Sequence, residues 1–204
     1  MGQAQLDVGV LGVLEVRRDG ERLPVAGGRP RAVLAALLAS ANRPVTVDRL
    51  IEAAWGDDLP ETPRAALQTV LSRLRATLAD AVVVRHGPAG YVLEIAAEAL
   101  DADRFEHGCA RAAAAADRDA LAELDAALAL WRGPAYVEFR DRDFALAEAA
   151  RLDGLRLAAI EDRAELASAL GDAEAAVAGL EPLVAEHPLR ERARGLLMTA
   201  LYTA

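Results

Sequence analysis

Apolar residues between Thr62 and Leu78 recur at the spacing of a single helical face. At 100° per residue, four leucines share one narrow arc, namely Leu67, Leu71, Leu74 and Leu78. The opposite side carries polar residues, namely Gln68, Thr69, Ser72 and Arg73. The pattern predicts an amphipathic helix that buries its leucines and leaves its polar side available for contact.

Two shorter helices are predicted before this one. Residues Arg31–Ala41 place valine and leucine on one face of a helix. Pro44 marks the end of this helix, because proline disfavours helical geometry in the residue before it. Thr46 is a suitable N-cap for a helix over Val47–Trp55. Gly56 stands where a left-handed C-terminal cap is expected.

Runs rich in β-formers flank the three helices. Leu6–Val16 forms one loosely alternating run, and Asp19-Gly20 predicts a tight turn between it and Arg22–Val25. After the helices, Val82–Arg85 and Tyr91–Ile95 are joined by a Gly/Pro turn and predict a second hairpin. The predicted order of small sheet, three helices and hairpin is the winged-helix plan.

The chain beyond Leu100 is patterned as helix throughout. Five helices are predicted, over Asp101–Ala116, Asp119–Trp131, Phe144–Leu170, Glu174–Glu186 and Leu189–Tyr202. Their short turns are typical of a tetratricopeptide-like solenoid, although no repeat of about 34 residues can be counted. The predicted fold is an α+β winged helix over residues 1–96 followed by an all-α, tetratricopeptide-like domain over residues 101–204.

Charge is distributed unevenly along the 204 residues, whose net charge is −9. Residues 1–96 carry 11 arginines and 11 acids, whereas residues 97–204 carry 12 arginines and 21 acids. No acid occurs between Thr62 and Ala79. A helix free of acids in an acidic protein indicates an anionic partner, with nucleic acid as the first candidate. The leucine arc alone fits an ordinary core helix equally well.

Several classes of function find no support. Cys109 is the only cysteine, so an intramolecular disulfide or a thiolate metal cluster is excluded. His107 lies two positions away and would point to another side of a helix, so no metal site is expected. We find no phosphate-binding GxxxxGK[ST] loop and no serine nucleophile motif, and therefore predict no cofactor and no enzyme activity. The start lacks a secretion signal and no run of 18 apolar residues occurs, which predicts a cytoplasmic protein without membrane contact.

The joint order and spacing of several motifs resembles the OmpR-type winged helix and, more narrowly, the SARP family of actinobacterial antibiotic-pathway activators. These motifs are Leu11-Gly12-x-Leu14-x-Val16, Ala41-Asn42-Arg43-Pro44-Val45, Leu50-x5-Gly56, Ser72-Arg73-Leu74-Arg75 and Gly90-Tyr91. The second half resembles the bacterial transcriptional activation domain of the same regulators. Its motifs are Ala127-Leu128-x-Leu130-Trp131-Arg132-Gly133-Pro134, Glu148-x2-Arg151-Leu152, Ala169-Leu170-Gly171 and His187-Pro188-Leu189-Arg190-Glu191. Because helices usually continue further in this family, we expect a domain truncated at its C-terminus.

The resemblance implies that the third helix reads DNA in the major groove. Gln68, Thr69, Ser72 and Arg73 are then the candidates for base edges, since glutamine pairs with adenine and arginine with guanine. Arg64 and Arg75 border the leucine face and are better placed for phosphates. Two hairpin residues, Arg85 and His86, are the wing candidates, although the turn HGPAG departs from the common family pattern.

The resemblance also implies that the loop between the second and third helices faces RNA polymerase. Asp57, Asp58 and Glu61 are its candidate contacts, and a merely solvated acidic loop is equally compatible with the sequence. The resemblance thus predicts a DNA-binding transcriptional activator that binds direct repeats in double-stranded DNA, where two copies can pair as a homodimer. The activator is expected to recruit RNA polymerase to a biosynthetic, antibiotic-type gene cluster. The alternative is a non-catalytic protein-interaction scaffold that uses the helical-repeat domain.

Overall fold

The structure is a computed structural model and describes residues 6–78 and 83–204. Its strands are β1 (Leu6–Gly9), β2 (Glu15–Arg18), β3 (Glu21–Arg22), β4 (Val83–Gly87) and β5 (Gly90–Glu94). Its helices are α1 (Gly28–Leu38), α2 (Val47–Trp55), α3 (Pro63–Leu78), α4 (Asp101–Ala114), α5 (Asp117–Leu128), α6 (Asp143–Ala169), α7 (Ala173–Glu186) and α8 (Glu191–Thr203). Short 3-10 helices cover Ala97–Ala99 and Val137–Phe139.

The first strands form an antiparallel sheet in the order β1-β2-β3. The predicted turn at Asp19-Gly20 is confirmed, and its two residues have φ values of 51° and 82°, as the primed hairpin turns require. The prediction of a single run over Leu6–Val16 is wrong. The chain reverses after Gly9 instead, through a loop in which Gly12 has a φ of 140° that other residues rarely adopt.

The three helices α1, α2 and α3 follow the sheet. The predicted bounds of α2 are confirmed, and the side chain of Thr46 accepts a hydrogen bond from the Arg49 N–H at 3.3 Å. Gly56 ends α2 with a φ of 54° and a ψ of −124°, so its positive φ is confirmed but the predicted left-handed conformation is wrong. Helix α1 starts three residues before the predicted Arg31, because its continuous apolar run Ala32–Leu38 is buried on all sides and does not mark its ends.

Strands β4 and β5 form the predicted second hairpin, with Pro88 and Ala89 at its tip. Val82, which the prediction placed in this hairpin, lies outside the described residues. The hairpin is attached to the segment before α2, because Val45 and Tyr91 exchange two backbone hydrogen bonds of 2.8 Å each. Tyr91 is only 7% exposed, so its ring anchors the hairpin in the core.

Gly90→Ala is expected to destabilise the attachment of this hairpin. Gly90 has a φ of 123°, and an added Cβ would lie 2.7 Å from the carbonyl carbon of Val45. Strain of this kind reduces the free energy of unfolding by about 2 kcal/mol or more, which urea denaturation measures. Gly87→Ala is the matched control, since no atom lies within 4 Å of its added Cβ. Equal losses from both substitutions would contradict the argument.

The chain divides into two compact units that do not follow its order. One unit comprises the chain up to Asp103 together with Arg132–Ala150, and the other comprises Arg104–Trp131 together with Arg151–Ala204. The predicted domains at residues 1–96 and 101–204 are, in contrast, consecutive. The sequence could not show this difference, because the attachment of 132–150 to the first unit depends on hydrogen bonds between residues more than 100 positions apart.

Those hydrogen bonds join the loop after β1 to the segment 132–150. The Arg132 N–H donates to the carbonyl of Leu11, and the Tyr136 N–H donates to the carbonyl of Val10, both at 2.8 Å. Glu138 accepts from the Leu14 N–H at 2.7 Å and pairs with the guanidinium of Arg31 at 2.6 Å. The segment thereby satisfies backbone groups of a loop that lies outside the strands of the sheet.

Asp101 lies at the centre of the same network and is only 2% exposed. Its carboxylate accepts hydrogen bonds from the Val10 N–H at 2.8 Å and the Leu11 N–H at 3.1 Å. The guanidinium of Arg132 donates to the same carboxylate at 2.8 Å. Burial raises the pKa of Asp101, and the hydrogen bonds from Val10 and Arg132 oppose that rise. The buried carboxylate therefore holds the loop after β1 and Arg132 together within the first unit.

The second unit is helical, as predicted. One buried apolar cluster of this unit joins α6, α7 and α8 and consists of five alanines and two leucines, namely Ala164, Ala167, Ala176, Leu180, Leu183, Ala193 and Ala200. The Glu161 carboxylate is 1% exposed and accepts two hydrogen bonds from Arg190, of 2.7 and 2.9 Å. This pairing raises the pKa of Arg190, so the guanidinium stays charged. Within the described ranges, no helix has the length and apolar content needed to cross a membrane.

Candidate nucleic-acid interface

Helix α3 separates a buried side from an exposed side as its sequence predicts. The four leucines of the arc are each at most 1% exposed. Exposed positions include all four candidate base-reading residues, namely Gln68, Thr69, Ser72 and Arg73. The leucines fix the rotation of the helix against the core, so the polar side must face outward.

The exposed residues of α3 differ in how far they are already engaged. The Thr69 hydroxyl donates to the carbonyl of Ala65 at 3.1 Å, which holds its side chain against the helix. Within the part of the chain that the structure describes, the side chains of Gln68, Ser72 and Arg73 form no hydrogen bond or ion pair. They therefore present one amide, one hydroxyl and one guanidinium to an incoming partner, and these groups can pair with base edges.

The two arginines expected to contact phosphates stand in different surroundings. Arg64 is 75% exposed in its side chain and lies 3.5 Å from the carboxylate of Asp48. Arg75 donates to the carbonyl of Val84 at 2.9 and 3.1 Å, and its guanidinium lies 5.9 Å from the ring centre of Tyr91. Arg75 thus connects α3 to the hairpin, a structural task that the sequence did not indicate.

The hairpin residues are also partly engaged. Arg85 pairs with Glu94 of the neighbouring strand at 3.0 Å, and both side chains are exposed. The ring of His86 lies 4.7 Å from that of Tyr91, centre to centre. An exposed pair of this kind contributes little to stability, so Arg85 can exchange Glu94 for a phosphate at small cost.

One residue that supports α3 was not found from the sequence. Arg18, at the end of β2, donates a hydrogen bond to the carbonyl of Leu78 at the C-terminus of α3. A cation at this end of a helix is favoured by the helix dipole. The two residues are 60 positions apart, so no local pattern could have paired them.

The loop between α2 and α3 carries the three acidic candidates, Asp57, Asp58 and Glu61, all exposed. Asp58 lies 3.6 Å from the guanidinium of Arg29, and its side chain is 93% exposed. Leu59, between these acids, is 57% exposed. Leu59 is not among the contacts predicted from the sequence, although an apolar residue between Asp58 and Pro60 is evident there.

The other candidates for chemistry are His107 and Cys109, together with any cluster of metal-ligating side chains. Over residues 6–78 and 83–204, no group of three His, Cys, Asp or Glu residues has metal-binding geometry. His107 is exposed and Cys109 is half-buried in the same helix. Burial raises the pKa of the Cys109 thiol, and the charges of Asp162 and Glu106 raise it further, so the thiolate form is disfavoured.

Comparison with known proteins agrees with this geometry. The family described as the bacterial transcriptional activator domain matches residues 100–204, which is more than half of the chain. The family described as the C-terminal domain of transcriptional regulatory proteins matches residues 26–93, which contain α1 to α3 and most of the hairpin. The chain belongs to the SARP family of transcriptional activators.

Individual relatives of this SARP-family chain are regulators. The transcriptional regulatory protein EmbR of Mycobacterium tuberculosis is 39% identical over 98% of this chain and 54% of its own length. The regulatory protein AfsR of Streptomyces coelicolor is 38% identical over 97% of this chain and 20% of its own length. The transcriptional regulator RedD of the same species is 31% identical over 97% of this chain and 59% of its own length. These regulators are a non-enzymatic class, as the sequence predicts for this chain.

A solved structure is similar as well. Mycobacterium tuberculosis EmbR, in complex with a low-affinity phosphopeptide, aligns with a TM-score of 0.90 at 38% identity, over 98% of this chain and 55% of that one. The winged-helix and helical-domain fold predicted from the sequence is therefore confirmed. The SARP-family chain spans about half the length of EmbR.

Proposed function

We propose that this chain is a sequence-specific activator that reads promoter DNA with α3. The observation that carries the proposal is the exposed side of α3, where Gln68, Ser72 and Arg73 stand opposite a fully buried leucine arc. In this proposal Gln68 and Arg73 contact base edges, and Thr69 and Ser72 add weaker contacts. Arg64, Arg75, Arg85 and His86 contact the backbone beside them.

The distribution of charge supports this orientation. Residues 62–78 contain three arginines and no acid, whereas residues 47–61 contain five acids and one arginine. A phosphate backbone is attracted to the first surface and repelled by the second. In the proposal the acidic loop with Asp57, Asp58 and Glu61 points away from DNA and contacts RNA polymerase.

The wider function follows from the family and remains part of the proposal. A single winged helix without net charge binds one site weakly, so two copies on direct repeats are proposed to bind together. Recruitment of polymerase then activates a biosynthetic, antibiotic-type gene cluster in the cytoplasm. Membership of the SARP family supports these steps.

Selection of bound sequences from random double-stranded DNA, followed by footprinting, tests the proposal. We expect a repeated sequence element whose copies are protected on one face of the duplex. Analytical ultracentrifugation of the complex then counts protein copies per DNA. A selected pool with no enriched sequence would contradict base recognition by α3.

Salt dependence distinguishes DNA binding from the scaffold alternative. Binding through about five phosphate contacts gives a slope of about −4 to −5 for log K against log salt, so affinity falls about 10²- to 10³-fold between 50 and 200 mM salt. Fluorescence anisotropy on the selected DNA measures the slope. Absence of DNA affinity at 50 mM salt would favour the scaffold.

One observation supports that alternative, since the apolar side chains of Met198, Leu201 and Tyr202 on α8 are 71%, 56% and 92% exposed.

A further inference from the structure

The second unit contains a cleft of about 450 Å³ between α4, α5 and α6. Most of its lining is apolar, and its buried part includes Ala112 of α4, Leu124 of α5 and Ala159 of α6. Every residue of the lining belongs to the second unit, so the cleft shares no residue with α3 or the hairpin. The cleft is therefore a feature of the helical unit by itself.

The helices around the cleft are connected to one another on its sides. Gly108 lets α4 and α5 approach closely, because an added Cβ would lie 2.8 Å from a side-chain atom of α5. Helix α6 is joined to both, since Arg151 pairs with Glu106 of α4 and Arg163 pairs with Asp125 of α5, each at 2.5 Å. The alanines that face the space between these helices are too short to fill it. The cleft is thus already formed in the folded unit, as is usual for small-molecule sites.

The polar side of the cleft is negatively charged. Asp162 and Glu165 belong to the lining, and their side chains are 50% and 61% exposed. Both contact Arg192, at 2.6 and 2.8 Å, and Arg192 also lies 3.6 Å from the buried Glu161, which pairs with Arg190. The network has three carboxylates and two guanidinium groups, so one negative charge is left. A single positive charge on a ligand would balance it.

Cys109, another residue of the lining, experiences the same negative potential. Burial raises the pKa of its thiol, and the charges of Asp162 and Glu106 raise it further. A potential that opposes a thiolate also opposes phosphates and carboxylates, whereas it attracts cations. The apolar lining favours an apolar body, and the acids at one side favour a positive charge on it.

We propose that this cleft binds a small organic cation, in which an apolar body carries a single amine. The apolar body lies on Ala112, Leu124 and Ala159, and the ammonium group donates to Asp162 and Glu165, whose carboxylates have lone pairs beyond those used by Arg192. The volume lies within the range of about 300–1,000 Å³ that is typical of small-molecule sites. The inference goes beyond the proposed function, since it does not depend on DNA recognition by α3.

Three probes of the same shape test the charge of the ligand. They are 4-phenylbutylamine, 4-phenylbutanol and 4-phenylbutyrate, which are positive, neutral and negative at pH 7. In ligand-detected NMR titrations of the full chain, the amine is expected to bind with a Kd of about 1 mM or lower. The alcohol and the butyrate are expected to bind at least about fivefold more weakly, because they cannot form a charge-assisted hydrogen bond with the acids. Absence of amine binding, or equal binding of all three probes, would overturn the inference.

Cys109 locates the bound amine. It is the only cysteine, so its reaction with the neutral disulfide 4,4′-dithiodipyridine gives one rate, which absorbance follows. Amine at about four times its Kd is expected to slow the reaction about fivefold, in proportion to the fraction of clefts that remain empty. Binding of the amine without protection of Cys109 would place the ligand elsewhere and overturn the cleft as its site.

Two substitutions test the space in the cleft. Ala113 lines the cleft and is exposed, so Ala113→Phe fills the space without entering the core. It is expected to weaken amine binding at least about tenfold. Ala178→Phe is the matched control, since Ala178 is an exposed alanine of α7 outside the lining, and it should bind like the parent. Equal affinities of the two variants would contradict binding in the cleft.

A charge variant tests the acids independently of the space. Asp162→Asn with Glu165→Gln is expected to remove the preference for the amine over the alcohol while both probes still bind. Glu174→Gln with Glu181→Gln removes two exposed acids of α7 outside the lining and should leave that preference unchanged. Circular dichroism checks that each variant is folded. A preference that survives in the first double variant, or that is lost in both, would overturn the role of the two acids in binding the ammonium group.

Discussion

Replacing Gln68 and Arg73 together with alanine is expected to weaken binding to the selected DNA at least about 30-fold. Each side chain is proposed to pair with one base edge, and a good pair of this kind contributes about 1–3 kcal/mol of discrimination. Both side chains are exposed, and neither forms a hydrogen bond or ion pair with another described residue, so the fold should not change. Anisotropy titrations on selected and scrambled DNA measure the effect.

The loss should be specific to sequence. Affinity for scrambled DNA should fall much less than affinity for the selected site, because phosphate contacts supply most non-specific binding. Arg64→Ala should instead weaken both by a similar factor and reduce the salt slope by about 1. Arg194→Ala, an exposed arginine of α8, is the control for removal of charge alone. If the double variant kept both affinity and sequence preference, the assignment of α3 as the reading helix would be wrong.

Asp101→Ala is expected to reduce the free energy of unfolding by about 3–5 kcal/mol, as is typical when one member of a buried ion pair is removed. The substitution leaves the N–H groups of Val10 and Leu11 without their acceptor. It also removes one partner of the Arg132 guanidinium, which keeps the carbonyl of Val13 and the carboxylate of Glu15. Urea denaturation followed by circular dichroism measures the loss. Hydrogen exchange should show that the amides of Val10 and Leu11 lose protection first.

A matched acid nearby provides the control. Glu98 is exposed and lies three residues before Asp101, so Glu98→Ala should change stability by less than about 0.5 kcal/mol. Asp101 belongs to the same unit as α3 but is not one of the residues proposed to contact DNA. At low temperature, where the Asp101→Ala protein is folded, it should therefore still bind DNA. A loss of stability no larger than that of Glu98→Ala would show that the hydrogen bonds of Asp101 do not stabilise this unit.

Local patterns were sufficient for most of the elements. The bounds of α2, its Thr46 cap, the Asp19-Gly20 turn and the leucine side of α3 were predicted because each depends on residues within a few positions. The loop after β1 was not predicted, since its valines and leucines alternate like those of a strand. Its backbone is satisfied by Asp101 and by the segment 132–150, which no short window contains.

In the candidate site too, some features depend on local sequence and others on tertiary structure. The sequence determined that α3 has one buried and one polar side and that no acid interrupts it, because helical periodicity and charge are properties of composition and spacing. Only the tertiary structure decided that Arg75 holds the hairpin through Val84 and that Arg18 supports the C-terminus of α3. It also placed Leu59 at a groove with Ile51. Side chains from distant segments meet only after the helices have packed, so their partners cannot be derived from spacing alone.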